Sequence, residues 1–421
     1  MNARWAATEL LVAVEAGRAL DDALTDTQAY GRLQGRDRAF ARAMATAALR
    51  RLGGIDAVLG RFLQRPLPES AALGRALLRI GAAQILVLGT PAHAAVGETV
   101  ETANAMRETR GFAKLMNAVL RRVAREGPEL LAGLAPGVDL PGWLYTRWRA
   151  AHGEAAPAIA TALLREAPLD LTVKQDAQDW AERLGGALTP TGSVRVENHA
   201  GVESLHGFAE GHWWVQDAAA ALPARLLGDV RGQRVLDLCA APGGKTLQLA
   251  AAGARVTAVD KSADRLARLK QNLERTRLGA EVITADALAF RDATPFDAVL
   301  LDAPCTSTGT LRRHPDVAWL RRPGDVRALA ALQSQLINAA AGLLKPGGTL
   351  VYAVCSLEPE EGPAVVSLAL SQGWRRKPLG AGDIPGAAPF ITSEGDLRTL
   401  PAHWPEIGGL DGFYAARLVR A

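Results

Sequence analysis

Cysteine, methionine and aromatic residues are all scarce in this chain of 421 residues. It contains 3 Cys and 4 Met, and aromatic residues make up only 5% of it. The cysteines Cys239, Cys305 and Cys355 form no CxxC pair, which argues against a disulfide scaffold and a structural zinc site. We therefore expect a protein of a reducing cytoplasm that binds no metal.

Long apolar runs are absent too. No run approaches the roughly 18 residues that a membrane-spanning helix needs, and the first residues lack the apolar core of a signal peptide. From these two observations we expect no membrane association. Neither sign of charge dominates, since 48 Lys and Arg face 44 Asp and Glu for a net charge of +4. This small basic excess is compatible with a nucleic-acid partner but does not establish one.

The length predicts two or three domains, and the sequence pattern changes twice along the chain. Apolar residues recur at helical spacing over the first part, with breaks at Gly53-Gly54, at Pro66-Leu67-Pro68 and at Thr90-Pro91. Residues 131–141, which contain Gly and Pro, are typical of a linker.

After the linker, short strand-like pieces mix with helical patterns, and then strands and helices alternate as in a doubly wound sheet. We therefore predict three domains. They are an all-α domain at residues 1–135, a mixed α/β domain at 142–228 and an α/β domain at 229–421.

A loop rich in small residues follows the predicted strand at 234–238 and precedes a predicted helix. Small residues let the backbone turn tightly against a ligand, and a helix N-terminus offers free N–H groups to an anion. We expect this loop to contact a cofactor through Cys239, Ala240, Ala241, Pro242, Gly243, Gly244 and Lys245.

The same loop ends in Gly-Lys-Thr, as the phosphate-binding loop of an NTPase does. That alternative requires glycine where Cys239 stands, six residues before Lys245. Pro242 would in addition remove an N–H group from the phosphate cradle. The pattern therefore disfavours an NTPase.

An aspartate ends or follows each of three further predicted strands: Asp260, Asp286 and Asp302. Asp260, about twenty residues past the Gly-rich loop, is placed to accept hydrogen bonds from ribose hydroxyls, and Asp286 is placed to flank an adenine. No Gly-x-Gly-x-x-Gly motif is present, which disfavours a dinucleotide. A nucleoside with an amino-acid tail, such as S-adenosylmethionine, fits the pattern better.

Cys305 and Cys355 each follow a run that is typical of a buried parallel strand, at 296–301 and 348–352. Residues just past the carboxyl ends of such strands line the ligand crevice of an open α/β sheet. We therefore expect both sulfurs to face one site.

These motifs resemble those of the RsmB/Nop2/Sun RNA cytosine-5 methyltransferases. The segments that carry the resemblance in the last domain are 239–245, Asp302-Ala303-Pro304-Cys305, Arg312–Leu320, Tyr352-Ala353-Val354-Cys355-Ser356, Pro359-Glu360-Glu361 and Asp411-Gly412-Phe413-Tyr414. Upstream, Val215-Gln216-Asp217 is similar to the family segment that leads into the catalytic fold, and residues 91–100 and 116–122 resemble a NusB-like RNA-binding domain.

Three positions depart from the family pattern. Val354 stands where Thr is usual before the second cysteine, and Gly362 replaces an Asn that often follows the paired glutamates. Thr172-Val173-Lys174 stands where related proteins carry an Arg-x-Asn pair near the substrate. These departures leave the residues that the reaction needs in place.

The resemblance implies a class I, Rossmann-like methyltransferase fold with a mostly parallel seven-stranded sheet, and S-adenosylmethionine as the cofactor. It implies that Cys355 is the nucleophile that attacks C6 of the cytosine, and that Cys305 helps to remove the C5 proton and release the product. Asp302 would hydrogen-bond the base around N3. The implied partner is RNA, with 16S rRNA as the favoured substrate of a monomeric enzyme.

Two other functions stay open at this point: a cytosine-5 methyltransferase that acts on tRNA, and a NusB-like RNA-binding protein whose catalytic half is inactive. Under any of the three, basic side chains are candidates for phosphate contacts. They are Arg36, Arg38, Arg42, Arg50, Arg51, Lys114, Arg121, Arg122, Arg125, Arg312, Arg313, Arg321 and Arg322.

Overall fold

The structure is a computed structural model that describes residues 2–197 and 201–420. Met1, residues 198–200 and Ala421 fall within the predicted domain ranges but lie outside the described residues. The chain forms two compact units. We call Met1–Arg165 with Leu311–Arg321 the helical unit, and Glu166–Thr310 with Arg322–Ala421 the sheet unit. The division into domains at 1–135, 142–228 and 229–421 stays a prediction.

The first ten helices belong to the helical unit. They are α1 (Ala3–Glu15), α2 (Leu20–Asp26), α3 (Gln28–Gly31), α4 (Gly35–Arg50), α5 (Leu52–Gly60), α6 (Ala72–Leu86), α7 (Ala92–Ala105), α8 (Ala113–Ala132), α9 (Gly142–His152) and α10 (Ala155–Ala162).

The apolar positions at helical spacing form the core of this unit, as in α1, where Leu10 and Leu11 are fully buried. The side chain of Asn2 caps α1 by accepting a 3.0 Å hydrogen bond from the Trp5 N–H. The predicted breaks at 66–68 and 90–91 fall between helices, as expected.

The predicted break at Gly53-Gly54 is wrong, because both glycines lie inside α5. They serve close packing rather than a turn. A Cβ on Gly53 would overlap the Val138 carbonyl, and one on Gly54 would come within 2.7 Å of an Asp139 carboxylate oxygen. Asp139 itself accepts a 2.9 Å hydrogen bond from the Gly54 N–H and pairs with Arg51 at 3.1 Å. The segment predicted as a linker is therefore packed within the helical unit.

Residues 311–321 come from far along the chain and pack within the helical unit. Asp316 accepts a 2.9 Å hydrogen bond from the backbone N–H of Leu20, at the start of α2. The Trp319 indole donates to the Leu49 carbonyl at 3.0 Å. The Arg50 guanidinium donates to the Arg312 carbonyl at 2.7 Å. The sequence pattern gave no sign of this arrangement.

The remaining helices follow in chain order. They are α11 (Ala177–Arg183), α12 (Leu222–Arg225), α13 (Gly244–Ala251), α14 (Ala263–Thr276), α15 (Val317–Leu320), α16 (Pro323–Ala341) and α17 (Pro363–Ser371), of which α15 belongs to the helical unit. Among the described residues, no helix is both long enough and apolar enough to cross a membrane.

A small antiparallel sheet in the order β2-β3-β1-β4 opens the sheet unit. Its strands are β1 (Leu169–Val173), β2 (Ala187–Leu188), β3 (Val194–Val196) and β4 (Trp213–Val215). Asp170 in β1 is buried and holds Arg195 in β3 through two 2.7 Å hydrogen bonds. Burial raises the pKa of Asp170, and the hydrogen bonds from Arg195 oppose that shift.

The large sheet has the order β10-β12-β9-β8-β5-β6-β7, with β11 paired to β12 outside this path. Its strands are β5 (Arg234–Leu238), β6 (Arg255–Asp260), β7 (Glu281–Thr284), β8 (Phe296–Asp302), β9 (Leu344–Val354), β10 (Trp374–Arg376), β11 (Leu397–Thr399) and β12 (Phe413–Arg420).

The five strands from β9 to β7 pair in parallel, which confirms the Rossmann-like half of the prediction. The three strands β10, β11 and β12 pair antiparallel, so the sheet is mixed and has one strand more than the seven predicted. The extra strand β11 is only three residues long, and no alternation of apolar residues announces a strand of that length.

Candidate active site

Four neighbouring strands bring the candidate residues to one edge of the large sheet. The strand order β9-β8-β5-β6 places Cys355, Asp302, Cys239 and Asp260 in sequence along the carboxyl ends. The crevice at such an edge is where open α/β sheets bind ligands. The parallel register thus brings together the motifs that are far apart in the chain.

The two sulfurs predicted to share a site lie 3.4 Å apart, within hydrogen-bond distance. Cys305 is 7% exposed and Cys355 is half-buried. The hydrogen bond with Cys305 lowers the pKa of Cys355 against the effect of burial. The same hydrogen bond, together with burial, raises the pKa of Cys305. The pair therefore favours a thiolate on Cys355 that accepts a hydrogen bond from the thiol of Cys305.

Ser307 adds a hydroxyl between these thiols. Its oxygen lies 3.6 Å from the sulfur of Cys355 and 3.9 Å from that of Cys305. Its backbone has φ = 60°, a left-handed conformation that is uncommon outside glycine and is found at functional sites. The sequence analysis did not single out Ser307, although the run of hydroxyl residues after Cys305 could have pointed to it.

The loop at 239–245 turns sharply between β5 and α13. Its first residue, Cys239, has φ = 65°, and its Ala241–Pro242 peptide bond is cis. Gly243 has φ = 108°, and a Cβ there would overlap the side chain of Leu269. Glycine at 243 thus lets the backbone approach Leu269 closely in a left-handed conformation just before α13.

Asp260 anchors that loop from the end of β6. It is 5% exposed, and its carboxylate accepts hydrogen bonds from the Ala241 N–H at 3.1 Å and the Ser262 N–H at 2.9 Å. Each carboxylate oxygen can accept a second hydrogen bond, so Asp260 retains capacity for ribose hydroxyls. Asp286, after β7, is exposed and accepts a 2.8 Å hydrogen bond from the Leu288 N–H.

Lys245 and Asp302 form an ion pair with a distance of 2.7 Å between Nζ and Oδ2. The Asp302 side chain is 31% exposed, so this carboxylate is open to a ligand as well as to Lys245. The ammonium group also lies 5.1 Å from the centre of the Phe413 ring. Asp302 thus lies at the same sheet edge as the cysteines, as the sequence predicted.

Two groups at the start of the loop have strongly shifted pKa values. Burial raises the pKa of Asp237, in β5, to about 7, and its Oδ1 has no hydrogen-bond partner among the described residues. Burial and the carboxylates of Asp260 and Asp302 raise the pKa of Cys239 to about 12. Cys239 is therefore a neutral thiol, in contrast to Cys355.

The residues fit a nucleoside with an amino-acid tail. Asp260 offers a carboxylate that can accept hydrogen bonds from ribose hydroxyls. The Lys245–Asp302 pair offers charges of both signs. Among the described residues, no group of three or more His, Cys, Asp and Glu side chains is arranged to hold a metal ion.

The basic side chains proposed to contact phosphates divide into two groups. Arg50 and Arg51 bond to backbone carbonyls and to Asp139 within the helical unit, and Arg312 is only 1% exposed. Arg312, a candidate for phosphate contacts, is therefore not presented to solvent in this structure. Most exposed members lie on α4 and α8: Arg36, Arg38, Arg42, Lys114, Arg121, Arg122 and Arg125. Arg313 and Arg322 are exposed as well, and Arg321 is half-buried.

Two family models match this chain. The model of the 16S rRNA methyltransferase RsmB/F matches residues 224–419, and the NusB family model matches residues 1–125. Two solved structures from Pyrococcus horikoshii share the fold over 66% of this chain. A methyltransferase homologue protein is 28% identical with a TM-score of 0.55 over 94% of its chain, and NSun6 with SFG is 18% identical with a TM-score of 0.57 over 98% of its chain.

Curated relatives match from end to end. The ribosomal RNA small subunit methyltransferase B of Pseudomonas putida is 39% identical over 447 residues, which cover 100% of this chain and 99% of that protein. Its namesake from Xanthomonas campestris is 39% identical over 99% of this chain and 97% of its own. The chain therefore belongs to the RsmB/F family of 16S rRNA methyltransferases.

Proposed function

We propose that this enzyme methylates C5 of a cytosine in 16S rRNA, through a transient covalent bond between Cys355 and C6 of the base. The observation that carries the proposal is the pair of sulfurs 3.4 Å apart, at the sheet edge that also holds the cofactor loop. The full-length relatives, which are named as methyltransferases of small-subunit rRNA, support the choice of substrate.

Cys355 is the nucleophile in this proposal. C5 of cytosine is a poor nucleophile, and addition of a thiolate to C6 turns the ring into an enamine that is reactive at C5. The lowered pKa of Cys355, caused by the hydrogen bond with Cys305, favours that thiolate relative to an ordinary cysteine. S-adenosylmethionine, when bound, supplies an electrophilic methyl group.

Cys305 acts later. After C5 carries the methyl group, its proton must leave before the bond between Cys355 and C6 can break. Cys305 is within hydrogen-bond distance of Cys355 and of Ser307, so it can help to remove that proton directly or by relay. Its raised pKa keeps it protonated in the resting enzyme and leaves the negative charge on Cys355, so Cys305 must give up its own proton before or as it takes the one from C5.

The other site residues hold the two ligands. We assign the backbone of the 239–245 loop to the amino-acid tail of the cofactor, Asp260 to the ribose and Asp286 to the adenine. Asp302 hydrogen-bonds the cytosine around N3, and Lys245 neutralises its charge when the base is absent.

The target cytosine must leave its stack to reach the crevice, so we expect it in a single-stranded loop or as a flipped nucleotide. The exposed basic side chains of α4 and α8 are our candidates for phosphate contacts beyond the target. The proposal places a monomeric enzyme in the cytoplasm, and the presence of three free cysteines agrees with a reducing compartment.

Bisulfite sequencing of total RNA tests the proposal. A strain that lacks the gene should lose protection of a cytosine in 16S rRNA, and the wild-type gene should restore it, whereas Cys355→Ala should not. Loss of protection in tRNA instead would favour the tRNA enzyme. Unchanged protection in every RNA, together with RNA binding by the purified protein, would favour an inactive RNA-binding protein.

A further inference from the structure

A single buried carboxylate joins the two loops that carry the active-site cysteines. Glu361, just before α17, is fully buried. On the first loop, it accepts a 2.9 Å hydrogen bond from the backbone N–H of Thr306 and a further bond from the Thr306 hydroxyl. On the second loop, it accepts a 2.5 Å hydrogen bond from the hydroxyl of Ser356. Thr306 follows Cys305 directly, and Ser356 follows Cys355 directly.

The hydroxyls around this carboxylate also contact each other. The hydroxyl oxygen of Ser356 lies 3.1 Å from that of Thr306 and 3.3 Å from that of Thr308. Thr308 accepts a 3.0 Å hydrogen bond from the backbone N–H of Leu357. The two cysteine loops are thus joined by side chains that lie immediately beyond the sulfurs.

The carboxylate is itself fixed from α16 and β9. Gln333 donates to it at 3.0 Å and to the carbonyl of Pro304 at 2.9 Å. The Tyr352 hydroxyl bonds to the Gln333 side chain and to the Glu361 carbonyl. Gln333 and Tyr352 are fully buried, so water does not compete for these bonds.

The four groups seen to hydrogen-bond to the two carboxylate oxygens all act as donors, and each of these oxygens can accept more than one hydrogen bond. A glutamine at 361 would have nearly the same shape but one NH₂ group. In one orientation that NH₂ would face two hydroxyls, which would have to reverse their protons. In the other it would face the Thr306 N–H and the Gln333 amide, which cannot accept. A glutamine therefore keeps the shape of the side chain but cannot accept hydrogen bonds on both terminal atoms.

We propose that Glu361 is a positioning residue for the methylation reaction, which holds the loops of Cys305 and Cys355 so that the two sulfurs stay in hydrogen-bond distance. The expected effect on catalysis rests on the proposed function. The expected effect on the distance between the thiols rests on the geometry alone. Glu361 holds the loops through Thr306 and Ser356, each one peptide bond away from a cysteine. Its negative charge also contributes to the raised pKa of Cys305, after the hydrogen bond with Cys355 and burial.

The test combines a thiol reaction with kinetics on the full-length protein. Diamide takes two hydrogens from two neighbouring thiols and leaves a disulfide, so its rate reports on thiol spacing without any methyl transfer. We expect Glu361→Gln to slow the formation of the Cys305–Cys355 disulfide by about 10-fold or more, and to lower kcat by about 100-fold, the effect of a misplacement near 1 Å. The KM for RNA and the Kd for S-adenosylmethionine should change less than about 2-fold, because Thr306, Gln333 and Ser356, which donate to the Glu361 carboxylate, lie outside the cofactor loop.

The matched control is Glu394→Gln, the same substitution at an exposed glutamate of the sheet unit. It should react and turn over like the wild type. If Glu361→Gln does not fold, Thr306→Val and Ser356→Ala each remove one branch of the network and should each slow both reactions. Wild-type disulfide and methylation rates in every variant that folds would overturn the proposal. If the wild type methylates no RNA, the diamide rates still decide the positioning role, so the two proposals fail separately.

Discussion

Cys305 and Cys355 occupy equivalent places at the same sheet edge and differ in the chemistry that their surroundings allow. Both follow a parallel strand and both precede a hydroxyl residue that bonds to Glu361. Yet the hydrogen bond between the thiols moves their pKa values in opposite directions, lower for Cys355 and higher for Cys305. Position therefore brings a cysteine to the site, and the network around it decides which sulfur carries the charge.

Of the substitutions that test this difference between the cysteines, removal of Cys355 should have the largest effect on methylation. Without the nucleophile no bond to C6 can form, so Cys355→Ala should neither methylate RNA nor form a covalent complex. Denaturing electrophoresis with labelled RNA measures both the methyl transfer and the trapped complex. A trapped complex in Cys355→Ala would assign the nucleophile to Cys305 instead.

Cys305→Ala should fail in a different way. Addition to C6 and methylation of C5 remain possible, but the C5 proton leaves slowly and the thiolate cannot be expelled. We therefore expect a covalent protein–RNA complex that survives denaturing electrophoresis, with multiple turnover lost. Normal turnover without a complex would show that Cys305 has no role in release.

Asp260→Ala should weaken the binding of the cofactor and leave the chemistry of the cysteines unchanged. Each charge-assisted hydrogen bond to a ribose hydroxyl is worth roughly 1.5–3 kcal/mol, so we expect a Kd at least about 10-fold higher. Calorimetry measures the affinity, and a thermal melt of the variant separates this loss from unfolding. Wild-type affinity would contradict our placement of the ribose.

The pH dependence of alkylation should differ between Cys355 and Cys305, with a smaller effect than the substitutions above. The pKa of Cys355 is lowered, so its thiolate persists below the ordinary cysteine pKa of about 8.5 and is lost as the pH falls through the lowered value. Iodoacetamide labelling, located by peptide mass, should therefore modify Cys355 first at neutral pH. In Cys305→Ala the hydrogen bond is gone, and the labelling profile of Cys355 should move to higher pH. An unmoved profile would mean that Cys305 does not tune Cys355.

The third cysteine should matter least. Cys239 shares the sheet edge, but three carboxylates and burial raise its pKa to about 12, so it is neutral at physiological pH. Cys239→Ala should keep most of the methylation activity, measured with the same labelled RNA. A loss as large as that of Cys355→Ala would show that the sheet edge alone confers reactivity.

The sequence predicted those parts of the site that depend on one strand and the turn after it. The strand at 234–238 agrees with β5, and the residues that end β6 and β8 lie where their patterns put them. The sequence did not predict contacts between segments that are distant in the chain. A run of Thr and Ser after Cys305 does not reveal which hydroxyl bonds to Glu361, because that choice depends on the register of β8 against β9. The burial of Arg312 could not be predicted either, because the charge of a residue does not reveal whether its side chain is buried.

The membership of Leu311–Arg321 in the helical unit bears on the order in which the nascent protein can mature. Domains generally fold as they emerge from the ribosome, N-terminal first. Here the unit that emerges first lacks Asp316 and Trp319 until a stretch of about 145 residues has been translated, roughly 7–30 s at typical elongation rates. During that interval the N–H of Leu20 and the carbonyl of Leu49 wait for partners encoded in the second half of the gene. The helical unit is thus the first to begin folding, but it cannot be complete until most of the message has been read.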